Sequence, residues 1–140
     1  MLKLKPYSST LLALEGILLM AMGLYFAFLR PSLLPEDIRY LKISLSDIEH
    51  SLPSLNVWLQ RVFWVMGSYI FTTGLLIIFI SRTSFRTLTQ GTFYIVALAG
   101  VSSIGSMTVI NFMIGSDFKW ILLLFTVPWI VSLTLYRIDK

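Results

Sequence analysis

The sequence contains no cysteine and only one histidine, His50, among its 140 residues. The missing cysteine excludes disulfide scaffolds, thiolate catalysis, cysteine-ligated zinc sites and iron–sulfur clusters. A single histidine excludes a metal or haem site that needs two histidine ligands, so no cofactor and no metal is expected. His50 itself has no positioned partner near it in the sequence, and such a partner is what a catalytic role would require.

Charge is also scarce, because 13% of the residues are charged, compared with about 25% in soluble domains. Hydrophobic residues make up 56% of the chain, and the mean hydropathy is +0.82. A 16.0 kDa globule could not bury that much apolar surface. This composition excludes an ordinary soluble enzyme, a disordered chain and a nucleic-acid-binding domain, and it predicts a membrane protein with several spans.

Four segments are long and apolar enough to cross a bilayer, which takes about 20 residues per helix. The predicted spans are residues 11–29, 59–81, 91–114 and 119–136. Backbone groups in lipid must be satisfied within the segment, so the spans are predicted to be helices. The expected fold class is an all-α membrane protein, formed by residues 1–140 as one transmembrane domain. Its architecture is an antiparallel four-helix bundle with a short amphipathic extracytoplasmic loop between helices 1 and 2.

Four spans place both termini on the same side of the membrane. That side holds six basic residues and one acidic residue, Asp139; the basic ones are Lys3, Lys5, Arg82, Arg86, Arg137 and Lys140. The other side holds five basic and five acidic residues, namely Arg30, Arg39, Lys42, Arg61, Lys119, Glu36, Asp37, Asp47, Glu49 and Asp117. Because Lys and Arg favour the cytoplasmic side, both termini are predicted to be cytoplasmic.

Residues 30–58 form the one long loop, and its apolar residues recur at steps of three and four, which is a helical period. These residues are Ile38, Leu41, Leu45, Ile48, Leu52 and Leu55. Pro35-Glu36-Asp37 is typical of a helix start, and Ser46 with Glu49 matches a capping box. The pattern predicts two short helices separated by a turn at residues 42–45. The loop is then either a connector at the membrane interface or a lid over a binding cavity.

Glu15 is the clearest ionisable residue within a span, and such residues are candidates for function. It is expected about one helical turn inside the cytoplasmic end of the first span. Two interpretations are open. Glu15 could form a structural ion pair with Arg82, Arg86 or Arg137, or its carboxyl could bind a proton or a ligand.

The other polar residues lie in the second and third spans. Arg61, Ser68 and Thr72 share one face of the second span by their spacing. The third span carries Ser103 in a small-xxx-small pair, followed by Asn111, and it is predicted to sit centrally, through helix packing or as the wall of a polar cavity. Arg61 and Asn111 could meet near the extracytoplasmic end. The candidate ligand or proton residues are Glu15, Arg61, Ser68, Thr72, Ser103 and Asn111.

Four further features of the sequence carry a resemblance to a known group of proteins. They are Gly16 and Gly23, Leu29-Arg30-Pro31, Arg61-Val62-Phe63-Trp64-Val65-Met66-Gly67, and Thr73-Gly74-Leu75-Leu76. In these and in its topology the chain resembles small bacterial four-helix membrane proteins of the DoxX-like group. The resemblance implies a bundle in the bacterial inner membrane and supplies no catalytic residues. Members linked to quinone or thiol redox chemistry would need features that this cysteine-free chain lacks.

The sequence is compatible with three classes of function. The favoured one is a non-enzymatic membrane protein that binds a lipid, an apolar small molecule or a partner membrane protein, with a homo-oligomer as one form of partnership. The alternative is a small proton-coupled transporter that uses Glu15; a carboxylate in the first of four spans resembles the small multidrug-resistance transporters, although their loops are much shorter. An enzyme is least favoured, because no carboxylate pair or nucleophile–base pair is present.

Overall fold

The computed structural model describes residues 5–138, without the side chain of Lys5. All regular structure in this part of the chain is helical, and four helices are long and apolar enough to cross a membrane. They are span 1, Pro6–Leu29; span 2, Leu55–Arg82; span 3, Thr92–Met113; and span 4, Lys119–Ile138. The predicted all-α class is therefore confirmed, and the four apolar helices indicate a multi-pass membrane protein.

The chain contains seven α-helices and two short π-helical turns within the described residues. In chain order the helices are α1 Lys5–Leu24, α2 Pro35–Leu41, α3 Leu45–Ser51, α4 Leu55–Arg82, α5 Thr92–Gly100, α6 Ser106–Met113 and α7 Lys119–Ile138. One π-helical turn, Tyr25–Leu29, completes span 1, and the other, Val101–Gly105, joins α5 to α6 within span 3. We call the end of the bundle near α2 and α3 the loop end, and the opposite end the terminal end.

Span 1 begins at the terminal end earlier than residue 11, where the hydrophobic run begins. Its first turns are tied to both neighbouring helices. The Ser9 hydroxyl donates to the Ser81 carbonyl of α4 at 2.5 Å, and the Ser132 hydroxyl of α7 donates to the Ser8 carbonyl at 2.8 Å. Because these polar groups are buried and hydrogen-bonded, the helix continues past the apolar segment.

Span 1 packs on α4 through a row of small residues that recur every seven positions. Gly16 lies against Gly74, and Gly23 lies against Gly67. The residue number falls along α4 as it rises along α1, so the two helices run antiparallel. A Cβ atom added to Gly23 would lie 2.5 Å from the Phe71 backbone nitrogen. The absence of these Cβ atoms is what lets the two backbones approach so closely.

Span 1 is the central helix of the bundle. Its most apolar window is 44% buried, compared with 22% for span 3 and 17% for span 2. It contacts α4 on one side and α7 on the other, while span 3 packs against α7. The prediction that span 3 would be central is therefore wrong. The reason is that its serines bond within their own helix, whereas span 1 has a small or buried residue on two faces.

Span 3 is fixed to span 4 by an indole ring. Gly100 lies directly against the Trp129 side chain, where any Cβ atom would overlap the ring. The Trp129 Nε1 donates to the Val96 carbonyl at 3.1 Å. This carbonyl lies in the turn just before the π-helical turn of span 3, so the indole satisfies a backbone acceptor beside the irregular segment.

Two buried apolar clusters lie one above the other inside the bundle. The terminal-end cluster consists of Leu12, Ile77, Phe85, Val96 and Tyr136. The loop-end cluster consists of Leu19, Met22, Ile104 and Leu122. Leu12 and Leu19 both belong to span 1, two helical turns apart. The second cluster forms the floor of the cavity described below.

The loop contains the two short helices α2 and α3, separated by a turn in which Lys42 has a φ of 56°. The cap of α3 is Ser44, whose hydroxyl accepts from the Asp47 backbone N–H at 3.1 Å. The predicted capping box of Ser46 and Glu49 is therefore wrong by two positions. Arg39 of α2 contacts Asp117 at 2.8 Å, which ties the loop to the start of span 4.

Candidate functional site

A cavity of about 940 Å³ lies between the four spans in the loop-end half of the bundle. Its lining comes from residues 19–26 of span 1, 63–73 of span 2, 102–111 of span 3 and 121–125 of span 4, together with Arg30, Ile114, Phe118 and three further loop residues. A volume of about 300–1,000 Å³ is usual for a site that encloses a small molecule. The size and position therefore make this cavity the leading candidate site.

Most of the cavity wall is aliphatic or aromatic. The aromatic side chains come from span 1, span 2 and the region of span 4, and they are Tyr25, Phe26, Phe63, Tyr69, Phe118 and Phe125. The Phe26 and Phe63 rings meet edge to face with centroids 6.1 Å apart, an arrangement that aromatic pairs prefer. Such a wall favours an apolar ligand or the apolar part of a larger one.

Both π-helical turns border the cavity. Tyr25 and Phe26 belong to the first turn, and Ser102, Ser103 and Ile104 belong to the second. A π-helical turn adds one residue to a helical turn and changes the direction of the side chains, and such turns are frequent at functional sites. Hydrophobic periodicity gave no sign of either turn. Their presence in two of the four spans that line the cavity is a second indication of function that does not depend on the cavity volume.

The serine and asparagine side chains of the wall use their donors within span 3. The Ser103 hydroxyl donates to the Ala99 carbonyl at 2.6 Å, and the Ser102 and Ser106 hydroxyls bond to carbonyls of the preceding turn in the same way. The Asn111 amide donates to the Met107 carbonyl at 2.9 Å. The serine hydroxyl protons are therefore used within span 3 and are not available to a ligand, whereas the Asn111 amide uses one of its two N–H donors in this bond.

The polar part of the site lies at the loop-end mouth, where Arg30 is held on three sides. Its guanidinium contacts the Asp37 carboxylate at 3.1 Å and donates to the Pro31 carbonyl at 2.9 Å. The flat face of the guanidinium lies 3.8 Å from the centre of the Phe63 ring, within the range of a cation–π interaction. Arg30 therefore joins span 1, the loop and span 2 at the mouth.

Glu36 lies beside this group and is 4% exposed. One of its carboxylate oxygens accepts from the Ser116 hydroxyl at 3.2 Å. The Ser116 oxygen in turn accepts from the Phe118 backbone N–H at 3.1 Å, so its own proton is directed at Glu36. No Lys or Arg nitrogen in the described chain lies within 4.0 Å of this carboxylate. Glu36 is thus a buried acid in the cavity lining with a hydroxyl partner and no cation.

Of the residues predicted for the site, Ser103 and Asn111 line the cavity. Arg61, Ser68 and Thr72 do not line it and are exposed on α4. The face of α4 that packs on span 1 carries Gly67 and Gly74, so Arg61, Ser68 and Thr72 turn outward. The structure consequently does not bring Arg61 to Asn111.

Glu15 is buried, with 2% of its surface exposed, and lies outside the cavity lining. Both of its carboxylate oxygens lack a hydrogen-bond partner within the described residues. It lies between Leu12 and Leu19, and therefore between the two apolar clusters.

The ion pair between Glu15 and an arginine is absent from the described part of the chain. Because helix α1 begins at Lys5, Glu15 is ten residues into it, or about 15 Å along its axis. This is near the middle of span 1 and much deeper than the one turn expected. Arg82 and Arg86 are exposed at the terminal end, and Arg137 lies over the Phe93 ring at 4.3 Å.

Three residues of the mouth were not predicted as site residues, namely Arg30, Glu36 and Ser116. Glu36 and Asp37 were interpreted as charges at a helix start, which describes Asp37 well, since it accepts from the Leu34 N–H at 2.8 Å. The burial of Glu36 depends on Ser116, 80 positions away. The one sequence feature that points to this burial is a serine in the short turn at residues 114–118.

The chain was compared with models of protein families, with curated proteins and with solved structures, and no match was found.

Proposed function

We propose that this protein is a non-enzymatic integral membrane protein that binds a lipid or an apolar small molecule in the cavity between its four spans. The observation that carries this proposal is the cavity itself: about 940 Å³, with walls of aliphatic and aromatic side chains. The serine hydroxyls of the wall donate within span 3, so an apolar ligand that displaces water from this part of the wall loses few hydrogen bonds.

The setting we propose is an antiparallel four-helix bundle, folded as a single domain in the bacterial inner membrane. Both termini would be cytoplasmic, with the loop helices at the extracytoplasmic surface, and the protein would be similar to the DoxX-like group. The distribution of lysine and arginine supports this orientation. The cavity mouth would then face the extracytoplasmic interface. A partner membrane protein, including a second copy of the chain, is the other occupant that the exposed apolar faces of the spans would suit.

The experiment is native mass spectrometry of the protein gently extracted from membranes. We expect a co-purified adduct of lipid or small-molecule mass on the wild-type chain. Ser103→Phe adds a ring to the cavity wall and should lose this adduct. Ser68→Phe places the same ring on the exposed face of α4 and should keep it.

The result that contradicts the proposal is an adduct equally abundant on both variants, since it would lie outside the cavity. A second protein subunit in place of a small adduct would favour the partner-protein alternative. Circular dichroism of both variants establishes that each remains helical.

Proton-coupled transport through Glu15 is the second candidate function. It is supported by a carboxyl buried in the middle of span 1 with no partner for either oxygen in the described residues. An isolated buried carboxyl of this kind is costly to keep charged, and intramembrane acids often bind protons. Glu15 lies four residues, or about 6 Å, from Leu19 in the cavity floor, so a proton there could influence the cavity.

The test of this candidate is uptake of a lipophilic substrate by proteoliposomes under an imposed proton gradient. Gradient-driven uptake by the wild-type chain that Glu15→Gln abolishes would establish it. Uptake that is absent, or equal in the two proteins, would reject it and leave the binding function in place.

A further inference from the structure

The charges at the cavity mouth do not balance. Arg30 is the one basic residue in the lining among residues 5–138, and two acids, Glu36 and Asp37, line it as well. The Asp37 carboxylate forms an ion pair with Arg30 at 3.1 Å, which neutralises the charge of the guanidinium. Glu36 is left as an acid without a cation inside a largely apolar site.

A buried carboxylate without a counter-charge is expensive unless something else compensates it. Here the chain supplies only part of the compensation. Ser116 donates one hydrogen bond to a single oxygen, and Glu36 lies in the first turn of α2, where the helix dipole gives a modest benefit. A carboxylate has room for about four such bonds over its two oxygens.

The arrangement around Glu36 is nevertheless well ordered. The Phe118 N–H fixes the Ser116 oxygen, and Ser116 fixes the carboxylate, so the acid is positioned before any ligand arrives. The Phe118 side chain also lines the cavity. An ordered carboxylate and an aromatic ring in the lining of the same cavity are a combination that suits an organic cation.

We propose that the ligand of this cavity is an amphipathic cation, with an ammonium group held by Glu36 and a hydrocarbon part lying between the spans. This inference rests on the proposed function, because it names the class of ligand for the same cavity. The ammonium group supplies both the missing charge and the missing donors. The apolar walls and the floor formed by the loop-end cluster accept the hydrocarbon.

An anionic head group is disfavoured by the same contacts. Arg30, the basic group at the mouth, already binds Asp37, the Pro31 carbonyl and the Phe63 ring. A phosphate or carboxylate would have to replace these contacts and would also approach Glu36. A neutral head group would leave the acid uncompensated.

The test compares three probes that share a twelve-carbon chain: dodecylammonium, dodecanol and dodecyl phosphate. Their affinities are measured by native mass spectrometry in a neutral detergent. Because a hydrogen bond between charged groups is stronger than one between neutral groups, the wild-type chain is expected to bind dodecylammonium about tenfold more tightly than dodecanol. Dodecyl phosphate is expected to bind more weakly than both.

Glu36→Gln is the central variant. The amide keeps an oxygen that can accept from Ser116, so the loop is expected to fold, but the charge is lost. The preference for dodecylammonium over dodecanol should disappear while dodecanol affinity stays the same. Glu49→Gln is the matched control, because Glu49 is an exposed acid on α3 outside the cavity lining, and its removal should leave the tenfold preference intact.

The ammonium could belong to a free amphipathic amine or to a lipid head group. A fourth probe, lysophosphatidylethanolamine, carries an ammonium and a phosphate together. Binding as tight as that of dodecylammonium, and equally dependent on Glu36, indicates a lipid head group. Weaker binding indicates a free amine.

Two outcomes overturn the inference: equal affinity of the wild-type chain for dodecylammonium and dodecanol, or a preference that persists in Glu36→Gln. If Glu36→Gln does not fold, Ser116→Ala replaces it and should weaken the preference severalfold. If none of the probes binds, the cavity function fails as well, so the two failures are distinguishable.

Discussion

Gly23→Ala tests the close contact on which the bundle is built. A Cβ atom at residue 23 would lie 2.5 Å from the Phe71 nitrogen and 2.7 Å from the Gly67 oxygen. Both are backbone atoms, so no side chain can move aside. Because ordinary contacts begin at 3.4 Å, the two helices must separate locally by about 1 Å.

The magnitude follows from two opposing effects. Overpacking of a tight contact costs about 1–3 kcal/mol, and alanine recovers at most about 1 kcal/mol over glycine through its higher helix propensity. Because the atoms that a Cβ would meet are backbone, the upper half of the overpacking range applies, and we expect Gly23→Ala to lower the free energy of unfolding by about 1–2 kcal/mol. Gly74→Ala, whose Cβ would lie 2.5 Å from the Gly16 oxygen, should behave alike.

The assay is reversible unfolding in mixed micelles at rising dodecyl sulfate fractions, followed by circular dichroism. Thr72→Ala is the control: it places the same side chain on the exposed face of α4 and should change stability by less than about 0.5 kcal/mol. Glycine variants as stable as the wild-type chain would refute the packing argument.

Three further predictions concern Glu15, Asp37 and the orientation of the chain in the membrane. Glu15→Gln should be as stable as the wild-type chain or more so in thermal melts, because an amide carries no charge to desolvate; a clear loss of stability would instead indicate an ion pair. Asp37→Asn should weaken the hold on Arg30 by about 1–2 kcal/mol and accelerate amide exchange in α2, and unchanged exchange would contradict this. Cysteines introduced as Ser46→Cys and Ser84→Cys into this cysteine-free chain should differ in labelling by an impermeant reagent on intact cells, with Ser46→Cys labelled; labelling of Ser84→Cys alone would reverse the proposed orientation.

The number and class of the helices were predictable because they depend on apolar length, which is a local property of the sequence. The loop helices gave a local signal too, in the proline at residue 35 and the apolar period that follows. The positions of the helix ends were harder to predict from the sequence. The first turn of α1 is polar, and it is helical because Ser8 and Ser9 bond to residues more than 70 positions away.

Neither the arrangement of the spans nor the mouth of the cavity could be predicted from local sequence patterns. The sequence shows regularly spaced glycines at positions 16, 23, 67 and 74. Which glycine packs against which depends on how two helices far apart in the sequence are aligned. The serines of span 3 fit both helix packing and a cavity wall by their pattern, and the structure places them in the cavity lining with their hydroxyls bonded within their own helix. Glu36 looked like an ordinary helix-start acid, since its burial depends on a turn 80 residues later.

Photocrosslinking tests the central claim, that the cavity holds an apolar ligand, most directly. A twelve-carbon amine with a diazirine at the end of its chain is equilibrated with the protein in membranes, irradiated, and mapped by peptide mass spectrometry. Crosslinks are expected to concentrate at the cavity floor, on Met22, Ile104 and Leu122, and to be lost in Ser103→Phe. Crosslinks spread evenly over exposed residues such as Leu75 and Leu76, and unchanged in that variant, would contradict it.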